Sequence, residues 1–492
     1  MNAKHSTQQR TIQMVHSTFD NSSARWLEIS DRVWSYAEVG LQEYQSASLL
    51  STTLEEAGFN VSRGLADMPT AFVAEWTQSP GSSPGSGPGA PVVAILGEFD
   101  ALPGLSQAVD TEQRPIVPGA PGHGCGHNLL GVAGVAAAVA VREAMEEAGL
   151  EGTIRYYGCP AEETLVGKVF MVREGLFSDV DIALTWHSGD VNAVREGSTA
   201  ALISTRFRFY GRAAHAAGSP ESGRSALDAV ELLNIGANYL REHVPSTTRI
   251  HYVITNGGSE PNIVPPEAEV WYYVRAPLFE EVQEVYQRLQ KIAEGAALMT
   301  ETQMEERFLT GCHNSLHNQV IGDIYIKNMR EIGPPQFSQE EIDWAKGLRD
   351  GYAPQQLRSQ ANFYQRSDWA ESLVLHQEVG PLGTDVKDRS GSTEVGDVSW
   401  VVPLAQFSTT CQPFGTPGHS WQVTASVGGT IGHKGMLYAG KILALTALDF
   451  MADRELVEAA RADLRETLAR RHYQSPLPEG LKVPLDQLSN HK

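Results

Sequence analysis

Between residues 92 and 186 short apolar runs alternate with helical patterns, and this alternation restricts the chain to a mixed or parallel sheet wrapped by helices. Residues 92–96, 153–159 and 181–186 read as strands. Residues 131–148, rich in alanine and valine, and 168–174 read as the helices between them. Upstream, Trp26, Ile29, Val33 and Trp34, then Ala47, Leu50 and Leu54, keep helical spacing over 23–58. Gly58 ends that helix, Phe59-Asn60-Val61 opens a strand, and 71–76 is another. Segment 78–91 is almost pure Gly, Ser and Pro, too poor in apolar side chains to pack, which predicts a mobile surface loop.

From about residue 200 the pattern changes. Strands at 202–210, 249–255 and 269–275 with long helices at 225–243 and 279–298 predict a compact α+β unit set into the larger α/β domain. A chain of 492 residues exceeds the size at which one core keeps growing. The expected division is 1–199 and 313–492 for the main domain, with 200–312 inserted. Leu227, Val230 and Leu233 form an apolar stripe on the first inserted helix, and core is the commoner use of such a stripe than a dimer seam. Residues 333–389 read as irregular, 394–450 return to alternation ending in a helix at 434–451, and from His472 the chain reads as an extended tail.

The formal net charge of −21 argues against nucleic acid or an anionic membrane as partner, since both need a basic footprint. An anionic substrate would then need local positive charge, such as bound metal. Cys125, Cys159, Cys312 and Cys411 are too few and scattered for a disulfide framework. The polar stretch over residues 1–20 lacks an apolar signal region, and the longest smooth apolar run, 132–141, falls short of a membrane span. A cytoplasmic chain is expected.

Possible ligands follow the predicted strands, where open α/β sheets bind their ligands. Gly97-Glu98-Phe99-Asp100-Ala101-Leu102-Pro103-Gly104 follows the first. Gly122-His123-Gly124-Cys125-Gly126-His127-Asn128 opens the Ala/Val helix, Pro160-Ala161-Glu162-Glu163 follows 153–159, and Trp186-His187 ends 181–186. Gly415-Thr416-Pro417-Gly418-His419-Ser420-Trp421 lies far downstream. Singly, such residues are usually loop histidines, small buried thiols or solvated glutamates. As a set, thiolate, imidazole and carboxylate suit Zn²⁺, Mn²⁺ or Co²⁺. By spacing alone His123 competes with Cys125 and His127 as a ligand. Adjacent glutamates allow one carboxylate to bind metal while its neighbour takes a proton from the attacking water.

These segments, with Gly211-Arg212-Ala213-Ala214-His215, occur in the order seen in the M20 metallopeptidase and amidohydrolase family, which the chain resembles from about Trp26 to Phe450. The resemblance implies a catalytic domain with two divalent metal ions, interrupted by a lid and dimerisation domain. It implies Cys125, His127, Glu163, His187 and His419 as metal ligands, Glu162 as general base, and Asp100 orienting a ligand rather than binding metal. In the inserted domain it implies that His215 polarises the scissile carbonyl and that Asn262 and Arg275 hold the substrate carboxylate, in cis or across a dimer. Acyl-amino-acid hydrolases of the family carry Asp where this chain has Asn128, so the site loses a negative charge.

The reaction so implied is hydrolysis of the amide of an N-acyl or N-aroyl amino acid bearing a carboxylate. The first substrate expected is p-aminobenzoyl-glutamate, split to p-aminobenzoate and glutamate. The assembly implied is a homodimer or a hetero-oligomer with a sister chain. A dipeptidase or an aromatic-amine deaminase uses the same chemistry, and release of free amino acid against ammonia separates them. A non-catalytic metal-binding subunit is the third reading, and under it Glu162→Gln would leave the biological activity intact.

Overall fold

The computed structural model describes residues 2–78, 90–380, 388, 391–469 and 471–485, with side chains from Arg10 onward. Most of the Gly/Ser/Pro segment, 79–89, lies outside the described residues. The larger sheet holds β1 (Asn60–Arg63), β2 (Phe72–Gln78), β3 (Val92–Glu98), β4 (Gly152–Cys159), β5 (Ile182–Gly189), β6 (Ala193–Arg195) and β11 (Leu404–Thr410). Their order is β1-β2-β4-β3-β5-β11-β6. The four inner strands β4, β3, β5 and β11 run parallel, while β1, β2 and β6 are antiparallel at the margins. The inner strands are buried almost end to end, because parallel strands covered on both faces leave few positions for polar side chains.

Helices Asn2–Tyr36, His127–Ala148 and Thr430–Ala452 pack on one another over one face. Alanine, valine and leucine fill the space between them, from Val132 to Val141 in one helix and from Ile442 to Leu448 in another. Small residues at these positions let the backbones approach closely. His127–Ala148 and Thr430–Ala452 are long and apolar enough to cross a membrane, whereas the apolar run at 132–141 read as too short. Both are mostly buried inside this protein, so they serve as core.

A second, four-stranded antiparallel sheet has the order β10-β7-β9-β8, from β7 (Ala201–Tyr210), β8 (Arg249–Asn256), β9 (Glu267–Ala276) and β10 (Gln303–Cys312). Helices Ala226–Leu240 and Phe279–Thr300 cover one face, and their own core includes Val230, Leu233, Val270, Tyr272, Val274, Val282 and Leu289. The stripe of Leu227, Val230 and Leu233 is therefore used in the core. Alternation along β9 sends Val270, Tyr272 and Val274 to the helices and Trp271, Tyr273 and Arg275 to the opposite face. Strand β8 forms the outer edge, with every residue but Ile250 exposed.

Three expectations need correction. The irregular stretch contains helices Gln339–Arg349, Pro354–Phe363 and Trp369–Ser372. Gln339–Arg349 buries only Ala345 and Leu348, too few for a visible period; a capping box between Ser338 and Glu341 starts it. The first helix begins near Asn2 rather than Ser23 and ends at Tyr36, with Tyr44–Glu56 a separate helix. The Ala/Val helix begins at His127 rather than Gly131, so a predicted loop ligand stands on its first turn.

Candidate metal centre

The carboxyl ends of the parallel strands carry the candidate ligands to one place. Glu98 closes β3, opposite Cys159 at the end of β4, and His187 lies in β5. After β4 the chain turns through a short 3-10 turn, Glu162–Thr164, flanked by Ala161 and Leu165, both at positive φ. Together with His419 at φ 52, these non-glycine residues hold a conformation that L side chains avoid. Gly126, at φ 81, precedes the helix that starts with His127. A Cβ there would lie 2.4 Å from Ser188 Oγ, so only glycine fits. Ser188 Oγ in turn donates to the Cys125 carbonyl at 2.7 Å, tying the cysteine loop to β5.

Cys125 Sγ lies 3.3 Å from His187 Nε2, and His419 Nε2 lies 3.3 Å from Glu163 Oε2. Cys125, His127 and His187 form one group of donor atoms within 4.8 Å of one another, Cys125, Glu163 and His419 a second, and Glu98, His127 and Glu162 a third. Asp100 Oδ1 meets His127 Nδ1 at 2.9 Å, and Asp100 Oδ2 accepts the Glu163 backbone N–H at 3.0 Å. Asp100 thus orients two candidate ligands. His123, the competing ligand, points its Nε2 to the Val33 carbonyl at 3.0 Å and joins none of these groups. Asn128 donates to Ser30 Oγ at 3.3 Å and to the Val427 carbonyl at 3.1 Å, so its amide braces the helix start.

The donor set fits divalent cations. His127 Nε2, Glu163 Oε1 and Glu98 Oε2 are buried without a hydrogen-bond partner, an arrangement that is costly unless something positive meets them. Burial, with Glu163 next, pushes the Cys125 thiol up to about 12, so a thiolate there requires a nearby cation. Burial, then the charge of Arg195, holds His187 well below the ordinary histidine range; burial, then His127 and Arg275, lowers His419. Both rings are therefore neutral, as ligation needs. Burial opposes a proton on His127, yet Cys125 and Asp100 outweigh it and raise its affinity for positive charge. Burial, with Glu98 next, lifts the Glu162 carboxyl to about 7.

A cavity of about 170 Å³ opens over these groups, lined by Cys125, Glu162, Glu163, His187 and His419 and also by Arg195, Tyr273 and Arg275. Arg275, carried on the smaller sheet, thus lines the same cavity as the candidate ligands. His215 and Asn262 do not line the cavity of the same chain. The His215 ring accepts the Ala217 and Gly218 N–H groups at 3.2 and 3.1 Å, and the Asn262 carbonyl accepts the Ala216 N–H at 2.9 Å. The two thus lie on separate connections of the smaller sheet that pair through the antiparallel His215–Ile263 bridge. Sequence reasoning gave no role to Lys168, which is fully buried with Nζ 2.7 Å from Glu98 and 3.0 Å from Glu394. A lone charge between Gly167 and Val169-Phe170-Met171 was the available signal. Arg195 and Gln406 carried none.

A family model described as a peptidase dimerisation domain matches residues 198–300. The chain is 40% identical over 484 residues to a constituent polypeptide of the p-aminobenzoyl-glutamate hydrolase of Escherichia coli, covering 96% of this chain and 98% of that one. It is 31% identical over 458 residues to a Xaa-Arg dipeptidase of Mus musculus, covering 91% and 90%. Among solved structures, an aminobenzoyl-glutamate utilization protein from Klebsiella pneumoniae superposes with a TM-score of 0.55 at 19% identity, covering 89% of this chain and 97% of that one. A dinuclear metal-binding M20 peptidase from Bacillus subtilis matches with a TM-score of 0.55 at 16% identity, over 88% and 99%. With relatives aligned along almost its whole length and this donor set at the strand ends, the chain belongs to the M20 family of metal-dependent amidohydrolases and peptidases.

Proposed function

We propose that this amidohydrolase uses two divalent cations to split the amide of an N-acyl or N-aroyl amino acid, with p-aminobenzoyl-glutamate as its first substrate. The observation that carries this reading is the convergence of Cys125, His127, Glu163, His187 and His419 into close donor groups, all but His127 lining one cavity, with Glu162 beside them. The 40% identity to a p-aminobenzoyl-glutamate hydrolase polypeptide supports the substrate. In this reading those five residues hold the cations, Cys125 being shared by two donor groups, and the mixed sulfur, nitrogen and oxygen set suits Zn²⁺, Mn²⁺ or Co²⁺. The cations, when bound, polarise the carbonyl and acidify water.

The chain's own groups do the rest. Arg275 meets the substrate carboxylate through its planar fork and so fixes the amide's position. Glu162 accepts a proton from the water that adds to the amide carbon and then delivers it to the departing nitrogen. Tyr273 supplies a ring in the cavity wall against which an aromatic acyl group packs.

Residues 200–312 act as the lid and dimerisation unit. The open β8 edge, with Tyr252, Val253 and Ile254 exposed, offers main-chain hydrogen bonds to a second copy of this chain. That copy brings His215 and Asn262 to the cavity they miss in cis. A hetero-oligomer with a sister chain is the competing assembly, favoured by the likeness to polypeptides of an enzyme built from more than one kind of chain. The 31% identity to a dipeptidase favours a second reading, in which the amide is a peptide bond. Metal analysis with a screen of amide substrates tests the whole: stoichiometric metal and release of free amino acid are expected. A metal-free protein that Mn²⁺, Zn²⁺ and Co²⁺ all fail to activate would refute it.

A further inference from the structure

The cavity lined by the candidate ligands also carries two guanidinium groups, in a chain whose net charge is −21. They come from different sheets. Arg195 ends β6 and sits across from Gln406 of β11, and its Nη1 donates to Gln406 Oε1 at 3.1 Å. The neighbouring strand β5 carries His187, so this bond fixes Arg195 along the His187 side of the cavity. Arg275 projects from β9 of the smaller sheet, with its guanidinium 5.6 Å from the centre of the Tyr273 ring. Its Nε is buried and has no hydrogen-bond partner. The two cations thus enter the same small cavity from two different sheets.

Resting on the amide-hydrolase reading above, we propose that Arg195 is a specificity-determining residue that restricts the enzyme to amides of acidic amino acids. Arg275 takes the α-carboxylate, and Arg195 takes the carboxylate of the side chain. One carboxylate needs one such fork. A second arginine fixed on the other sheet has a use when the substrate carries a second carboxylate, which would otherwise enter beside Glu162 and Glu163 with no counter-charge from protein side chains. The same pair repels a basic side chain, so the selection works by repulsion as well as attraction. This separates the present chain's substrate from the C-terminal arginine named for its dipeptidase relative.

The test uses the metal-loaded full-length enzyme with p-aminobenzoyl-glutamate, p-aminobenzoyl-glutamine and p-aminobenzoyl-arginine, reading kcat and KM for each. Wild type is expected to favour glutamate over glutamine by tenfold or more in kcat/KM, with arginine poorest. Arg195→Gln is expected to lower kcat/KM for the glutamate substrate by about 10–100-fold, mainly through KM, and to fall far less on glutamine. Arg195→Lys is expected to recover part of the preference, and metal content should match wild type in both variants. Equal losses on glutamate and glutamine in Arg195→Gln would overturn the inference, since Arg195 would then serve the α-carboxylate or the fold. Wild type cleaving glutamate and glutamine amides alike overturns the inference alone. Wild type cleaving none of the three overturns the amide-hydrolase reading as well.

Discussion

Asp100 holds His127 by a 2.9 Å hydrogen bond at Nδ1, which leaves Nε2, buried and without a hydrogen-bond partner, as the ring nitrogen available to a cation. The same carboxylate receives the Glu163 N–H, so one residue orients donors from two separate segments. His127 in return holds Asp100 below the ordinary carboxylate range although burial alone would raise it. Asp100→Asn is expected to weaken metal binding by about 10–100-fold, because partners of this kind set ring orientation and ligand basicity. Titration of the metal-free protein measures it, and wild-type affinity in the variant would exclude the orienting role.

Glu162 stands beside the candidate ligands without being needed by the first two donor groups. Glu162→Gln is expected to lower kcat by about 10²–10⁴-fold while the bound metal remains, which is the range for losing a positioned general base. Retained turnover with full metal occupancy would remove Glu162 from the reaction.

Lys168 is a fully buried cation between Glu98 and Glu394. Lys168→Met leaves two buried carboxylates without their counter-charge, and a stability loss of about 3–5 kcal/mol is expected. Adding Glu394→Gln should restore part of it, and a double-mutant cycle by denaturant unfolding reads the coupling. Additive losses would mean that the pair does not interact.

His376 is buried, and its Nδ1 accepts the Asn192 backbone N–H at 3.2 Å, a bond that a protonated ring nitrogen cannot make. Burial, with Arg366 next, lowers its pKa to about 4 from an ordinary 6.5. The unfolded chain therefore binds more protons than the folded one between these values, so stability falls as pH drops from 6.5 towards 4. The loss from this residue is about 3 kcal/mol. His376→Gln should show a shallower acid limb in unfolding free energy against pH. An unchanged slope would show that His376 is not buried in its neutral form.

If His215 acts across a dimer, an equal mixture of Glu162→Gln and His215→Gln chains, each inactive alone, should regain activity after subunit exchange. Half the dimers are then mixed and one of their two sites is intact, so about a quarter of wild-type turnover is expected. No recovery, with mixed dimers shown to form, would assign His215 to its own chain or to no catalytic role.

The inner strands of the larger sheet were legible because they are buried on both faces and so open with apolar runs, as at Val92–Glu98 and Ile182–Gly189. Strand Gln303–Cys312, charged and only half-buried over its first six residues, escaped, as did elements that are short or exposed. Ala193–Arg195 is a three-residue margin, and Arg454–Leu468 buries only Val457 and Ala460, so neither imposes a period. Lys168 stood out as a charge in an apolar helix but had no visible partner, since Glu394 lies more than two hundred positions away.

By itself the sequence determined which chemistry the chain carries: a thiol, imidazoles and carboxylates placed after apolar strands, in an order that identifies the family. The tertiary structure alone decided which of them meet. It turned His123 to the Val33 carbonyl and His127 to Cys125 and His187, set Arg195 beside His187, and kept His215 and Asn262 away from the cavity. The reason is physical: local periodicity reports which face of an element is buried, but a site is made where loops from distant elements end. That distance is set by strand order and crossovers, which no local pattern records.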